Sequence, residues 1–388
     1  MKVIRSFHPV GQGAFYSERF YEDEGSEARY NIVYDCGTSW GSIIKAKKVV
    51  SQAFDKKDVI DYLFISHLDY DHISLVLTLI DSVKCVRKIV LPLVHKDEIE
   101  VGIALNVLSN HNDAADFLQL VADFVNGVIS NDRRRLDSEI VFVGSEEERS
   151  LPNTQLWVNG CRRLLDSGLD WVFIPYNLKQ QDRKEELISE LDQLLHNAKL
   201  IMKVEDYKEA LPSSGAGLFD KLKNPDFVKK VIATKELKNA IKSAYEKVTG
   251  GVNANSLLLY SGPSSTRSGY RMVESCYRWR DHYITRRCAC LYTGDSNCDL
   301  PEWKAQFGMI WDNIGTIQLP HHGSSQSFDT DNNPIDRGYV FPVSCGNNNN
   351  YGHPSGKVLA YLLKNGSLPI IVTESSNTVF FQIISYYN

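Results

Sequence analysis

Polar and apolar residues alternate over Met1–Phe7, the two-residue period of a half-buried strand. Tyr30–Tyr34 is a short apolar strand ending in Asp35-Cys36-Gly37, and Asp61–Ser66 (DYLFIS) is a run of buried-strand type. That run stops at a polar cluster, His67 to His72. Ile73, Leu75, Val76, Leu79 and Ile80 follow at roughly helical spacing, and Lys88–Leu93 reads as the next strand. Strand, loop, helix, strand is the pattern of a sheet covered by helices.

The pattern changes over residues 101–250. Arg183–Lys247 is rich in Glu, Lys and Leu and predicts helices, interrupted by a turn or hinge at Pro212-Ser213-Ser214-Gly215. Lys230–Lys247 predicts one amphipathic helix ending at Gly250-Gly251. The stretch reads as a largely helical insertion or cap. Residues 251–388 return to strands: Ser256–Tyr260, Cys290–Thr293, Thr316–Leu319, Val340–Ser344, Ile370–Thr373 and Thr378–Ile383. Residues 1–100 and 251–388 are therefore expected to be two halves of one α/β domain, split by 101–250. No internal repeat is evident, and Asn347–Asn350 is the one low-complexity tract.

Composition narrows the class. At 388 residues, 43% hydrophobic and 23% charged, the chain has globular values that exclude wholesale disorder. The net charge of -5 means that any nucleic-acid contact must come from a local basic patch. The first ten residues are too short and too polar for a secretory core, and no run approaches a membrane span. The eight cysteines, of which only Cys288 and Cys290 lie close together, read as reduced, mostly buried thiols. A cytoplasmic protein without membrane contact is expected.

The candidate chemistry centres on His67-Leu68-Asp69-Tyr70-Asp71-His72. A lone His-x-Asp is usually a polar loop with a capping Asp. Here four ligand-capable side chains fall within six residues, directly after a buried strand. In extended chain, residues two apart point the same way, so His67, Asp69 and Asp71 can converge, with His72 turning in as the helix starts. Asp295 follows Thr293-Gly294 at a strand end, where a carboxylate could bridge two cations as two-metal hydrolases require. His321, His322 and His353 also follow strands. His8, His95, His111, His196 and His282 lack that context and read as structural.

These motifs resemble the metallo-β-lactamase fold superfamily, whose metal motif is H-x-H-x-D-H. More narrowly, they resemble the soluble domain of ComEC-type competence (DNA-uptake) proteins. The matching segments are Val10-Gly11-Gln12-Gly13-Ala14, Asp35-Cys36-Gly37, His67–His72 with Asp69 in the second-His place, and Asn253–Leu259. Thr293-Gly294-Asp295, Pro320-His321-His322-Gly323-Ser324 and Asn350-Tyr351-Gly352-His353-Pro354 complete the series. The family has an Asp after G-Q-G where Ala14 and Phe15 stand here, a departure that bears on substrate contacts more than on metal binding. The separation of His72 and Asp295 exceeds the family pattern, which again marks an insertion. No membrane channel is expected with this domain, so the resemblance does not imply transport.

The resemblance implies an αββα four-layer sandwich of the α/β class with a largely helical insertion. It implies two divalent ions, Zn²⁺ or Mn²⁺ with Mg²⁺ as a third choice, because Asp69 adds charge and hard oxygen. His67 and Asp69 would hold one ion, Asp71 and His72 the other, and Asp295 would bridge. His321 or His322, with His353, would complete the shells or protonate the leaving oxygen, making Asp71, His322 and His353 the catalytic candidates. Asp35 would orient a ligand; Ser324 and Lys357 are weak candidates for phosphate contacts.

For the substrate, Arg267, Arg271, Arg278, Arg280, Arg286 and Arg287 interleave with Tyr270, Tyr277, Trp279 and Tyr283, against Glu274 and Asp281. Arginine binds phosphates and aromatic rings stack bases, although such residues also cover ordinary solvated faces. Arg133-Arg134-Arg135 is a second basic cluster. The leading expectation is a nuclease acting on DNA first and RNA second. The alternatives are a small-molecule hydrolase of the same fold (a cyclic-nucleotide phosphodiesterase or lactonase) and a metal-binding interaction module without turnover. The insertion is expected either to restrain activity, released by a regulatory protein or an activating protease as in a defence system, or to be passive structure.

Overall fold

The N-terminal alternation is a strand that ties the two ends of the chain together. In the computed structural model, β1 (Lys2–Phe7) pairs antiparallel with β2 (Phe15–Tyr21) and with the last strand, β17 (Phe380–Tyr386). The structure describes residues 1–387 apart from 23–24, 40–42, 95, 129–136, 149–150, 167, 179–182, 197–210, 253–255 and 275–283.

Among the described residues the first sheet extends from β2 through β3 (Tyr30–Cys36), β4 (Val59–Phe64), β5 (Cys85–Pro92), β6 (Glu139–Gly144) and β7 (Gln155–Val158), and beyond β17 through β11 (Tyr270–Glu274) and β12 (Ile284–Thr285). Strands β3 to β7 run parallel. The second sheet has the order β16 (Leu368–Val372), β15 (Val340–Ser344), β14 (Ile314–Ile317), β13 (Ala289–Tyr292), β10 (Leu257–Gly262), β9 (Val172–Asn177) and β8 (Arg163–Leu164).

The sheets face each other across an aromatic core. Phe7, Tyr16, Phe20, Tyr34 and Phe64 from the first meet Trp171, Phe173 and Tyr292 from the second, with Tyr34 and Tyr292 stacked at 4.9 Å. Helices cover both outer faces. α1 (Ile43–Ala53), α3 (Val76–Ser82) and α5 (Asn112–Val125) pack on the first sheet through Val50, Leu79, Phe117 and Val121. α10 (Leu300–Phe307) and α11 (Gly356–Lys364) pack on the second through Trp303, Val358 and Leu362. Helix, sheet, sheet, helix is the expected four-layer α/β sandwich.

Residues 139–177, inside the stretch read as a helical insertion, contribute four strands to the two sheets. β6 is buried on both faces, so it carries no alternation to mark it. The helices elsewhere in that stretch build a separate apolar cluster. α4 (Lys96–Leu108), α6 (Arg183–Leu195), α7 (Gly215–Leu222), α8 (Pro225–Ala233) and α9 (Lys235–Val252) share Leu108, Leu191, Leu218, Phe219, Val231 and Ile241. The helix expected over Lys230–Lys247 is two helices, broken at Thr234 where the backbone is extended, and the second runs through residues 250–251. Among the described residues no helix is long and apolar enough to cross a membrane, and the cysteines are free.

One buried ion pair fixes the sheets against each other. Arg5 Nε donates to Glu18 Oε1 at 2.7 Å, and the Arg5 guanidinium also donates to the carbonyls of Ser261 and Cys288 across the core. Ser261 Oγ and the Tyr292 hydroxyl donate to Glu18 at 2.6 and 3.0 Å. Each charge is thus paired and hydrogen-bonded. Removing one partner, as in Glu18→Ala, leaves a buried unpaired charge and is expected to cost about 3–5 kcal/mol in urea denaturation. The double variant Arg5→Met/Glu18→Leu is expected to lose far less; equal losses would refute this account.

Candidate metal centre

The polar cluster is held by glycines that let backbone pack directly beneath it. After β4, Ile65 and Ser66 lead into His67–Asp71, and α2 (Tyr70–Ile73) begins with Asp69 extended at its N-cap. Ala14 N donates to Asp71 O at 3.2 Å. A Cβ on Gly37 would stand 2.4 Å from Asp71 O, and one on Gly13 2.7 Å from the same atom, so neither position admits a side chain. The two glycine motifs therefore serve the loop as its floor. The departure at Ala14 lies in the core between the sheets.

The helix expected from Ile73 onward breaks at Ser74-Leu75 because these residues bond backward. Ser74 Oγ and Thr38 exchange two hydrogen bonds of 2.9 Å, and Leu75 N donates to Cys36 O. The break fixes α2, and with it His72.

The second sheet delivers the other side chains. Gln318 Oε1 accepts from Thr293 N and Gly294 N, and Gln318 Nε2 donates to Gly294 O, shaping the turn that carries Asp295. Asp295 N donates to Ser256 Oγ at 3.0 Å. His321 Nδ1 pairs with Ser327 Oγ and His322 Nδ1 with Ser344 O, which aims the Nε2 atoms inward. Asn349 accepts from His353 N and donates to His353 O. Asp35, His321 and His322 are three of the five non-glycine residues with positive φ among those described. Such backbone costs roughly 1–3 kcal/mol per residue and persists only where surroundings enforce it.

The residues converge. Asp71, His72, Asp295 and His322 each offer a ligand atom within 4.8 Å of the others. His72 Nε2 lies 3.2 Å from Asp295 Oδ1, and His322 Nε2 lies 3.1 Å from Asp71 Oδ2. On the other carboxylate oxygen, His67 and His321 approach Asp295 Oδ2 at 3.8 and 3.9 Å, and Asp69 lies 3.6 Å from His67. His353 stands farther out, with ring centroids 5.5 Å from His321 and 6.3 Å from His322. His72 Nε2, Asp295 Oδ1 and His353 Nδ1 are buried without a hydrogen-bond partner. Buried polar atoms rarely go unsatisfied, and imidazole nitrogens with carboxylate oxygens are the donors of a divalent cation, so the set fits a metal.

The electrostatics carry the same sense. Burial opposes charge on His72, yet Asp295, Asp35 and Asp71 outweigh it and raise its pKa well above the usual value. Burial likewise opposes charge on His322, and Asp295 and Asp71 overcome it. Burial favours the neutral acid at Asp71, but His72 and His322 hold it down to about 2. Asp295 is lowered far below its ordinary range against burial by His72, His321 and His322. Burial, with His322 and His321, lowers His353 to about 4. Asp35 accepts from Ser66 N at 2.6 Å and pairs with His72 Nδ1 at 2.8 Å, the geometry of a residue that orients a ligand ring.

Cys288 and Cys290 are buried in the core between the sheets, where burial raises both thiols to about 12. Tyr270 is also core, Arg271 donates to the carbonyls of Ser268 and Tyr270, and Arg287 donates to Gly338 O. Arg278, Arg280, Tyr277, Trp279, Tyr283, Arg133–Arg135, His95, His282 and Asn253–Asn255 lie outside the described residues. Ser324 is buried and accepts from Gln326 N, and Lys357 is exposed. Ser66, Gln318, Ser327, Ser344 and Asn349 support the site through the contacts above, a role not expected for them from the sequence. Gln318 had a signal, an amide inside the apolar run Thr316–Leu319; the others look like ordinary loop or strand-end residues.

If this set binds a divalent ion, Mn²⁺ or Zn²⁺ at about 100 times its Kd stabilises the native state by roughly 2.7 kcal/mol. Calorimetric melts are expected to show a raised Tm for the natural chain and no shift for Asp295→Ala. A metal-dependent rise of the same size in Asp295→Ala would place the ion elsewhere.

No curated protein matches the chain. The family model described as Metallo-beta-lactamase superfamily matches residues 26–96, from before β3 through the His67–His72 loop to the start of α4. That match over residues 26–96, together with the facing sheets, the helices outside them and the His/Asp cluster, supports a domain like those of the metallo-β-lactamase superfamily, whose members are generally hydrolases.

Proposed function

We propose that this chain is a metal-dependent phosphodiester hydrolase of the ComEC-type subgroup, a nuclease acting on DNA and secondarily on RNA. The observation that carries the reading is the Asp295 carboxylate. One oxygen faces His72, beside Asp71 and His322; the other faces His67 and His321, with Asp69 next to His67. A carboxylate so placed could serve both groups of donors if two ions bind. Three carboxylates among the donors favour Mn²⁺, Zn²⁺ or Mg²⁺ and suit an anionic phosphodiester that such ions would neutralise.

His67, Asp69 and His321 would hold one ion, and Asp71, His72 and His322 the other. When bound, the pair of ions lowers the pKa of water and offsets charge on the phosphoryl oxygens. The chain's own task is to keep those donors rigid, which Asp35, Ser327 and the Ser344 carbonyl do by fixing the imidazole rings. His353, with its unpartnered Nδ1 and a backbone pinned by Asn349, is the remaining imidazole for proton transfer. It takes a proton from the attacking water and returns it to the leaving oxygen.

The protein would act in the cytoplasm, away from membranes. The helical unit around α6 to α9 would restrain it until a regulatory protein or a protease acts, consistent with a role in defence. Ser213 and Ser214 are exposed just before α7, where Ser214 Oγ caps Gly217 N.

Plasmid DNA incubated with the protein and Mn²⁺ is expected to be nicked and linearised, and Asp71→Ala to lose at least about 100-fold of that rate, the scale of removing a principal transition-state stabiliser. Turnover confined to cyclic nucleotides or lactones would replace the nuclease reading with a small-molecule hydrolase. Bound metal without turnover would leave an interaction module.

Proteolytic clipping near Ser213 is expected to raise the cleavage rate of the still-folded protein. An unchanged or lower rate would remove the restraint from the proposal.

A further inference from the structure

Among the described histidines outside the metal motifs, His111 touches the metal loop. The His111 ring stacks on Tyr70, with centroids 3.7 Å apart and planes 16° from parallel. Tyr70 sits between Asp69 and Asp71 and is the first residue of α2, whose third is His72. A ring held at that distance fixes the Tyr70 side chain, and a one-turn helix has little of its own to fix it.

His111 is itself well placed. It is the junction residue between α4 and α5: His111 N donates to Asn106 O at 2.8 Å, and Ala115 N donates to His111 O at 3.0 Å. Asn110 before it adopts positive φ and accepts from Lys238 Nζ on α9 at 3.4 Å. Burial, and after it the charge of Lys242, also on α9, lower the His111 pKa against an opposing pull from Asp71. Helices of the helical unit thus meet the catalytic sandwich at this residue.

We propose that His111 is a positioning residue, which holds the Asp69–His72 segment in its metal-binding conformation by stacking on Tyr70. The inference rests on the metal-centre reading above for its chemistry, but the stack acts on the loop whether or not an ion is bound. His111 acts through Tyr70, the ring on which it stacks.

The test uses the full chain carrying His111→Ala, His111→Gln or His111→Phe, each checked for a cooperative melt. Two measurements are made: amide hydrogen exchange over residues 67–73 in metal-free protein, and Mn²⁺ affinity by titration calorimetry. Loss of the ring in the Ala and Gln variants is expected to speed exchange in that segment and to weaken Mn²⁺ binding by about 10-fold. Phe keeps the stack and is expected to restore both to natural values. Unchanged exchange and affinity in Ala and Gln would overturn the proposal, as would a Phe variant as damaged as Ala. If the natural chain binds no Mn²⁺ while exchange still responds to ring loss, the metal-centre reading fails and the positioning role stands.

Discussion

The approach of Asp295 to the His67–His72 loop is the contact on which the site depends. The loop hangs from the first sheet and Asp295 from the second, so their distance is set by how two large sheets face each other. A cluster of like-charged carboxylates would otherwise drive itself apart. Here it is held because imidazoles intervene, and because backbone with no room for a side chain locks the loop from below.

That facing is itself enforced by polar as well as apolar contacts. The aromatic core between the sheets is non-directional, so rings alone can slide. Arg5 and Glu18, with Ser261, Tyr292 and the Cys288 carbonyl, accept only one mutual placement of the sheets, since any shift would strand a buried charge. The chain ends contribute, because β1 and β17 pair and carry Arg5 and Gln382 into this network. The site and its distant anchor are parts of one rigid arrangement.

The helical unit adds a second layer to the design. It leaves the sheet order intact and attaches through α4, which shares its buried face between the sandwich core and the helical cluster. Among the described residues, the stack of His111 on Tyr70 at the α4–α5 junction is a contact between this side of the molecule and the site. An element so attached is able to bias a loop without altering the fold that supports it.

Much of this was legible in the chain itself. Ligand-capable residues at strand ends, the glycine motifs beside them and apolar runs of strand length are local facts, and local spacing determines which face a side chain takes. That is why the His67–His72 cluster, Asp295, His321, His322 and His353 could be named before any fold was known. Four strands within residues 139–177 were not legible, because strands buried on both faces lose the alternation that marks them. Nor were Ser66 or His111, whose roles exist through residues far along the chain. The sequence determined the chemistry available and where the chain must bend. The tertiary structure alone decided which imidazole faces which oxygen of Asp295, since that pairing depends on the relative placement of two sheets, and no local spacing encodes it.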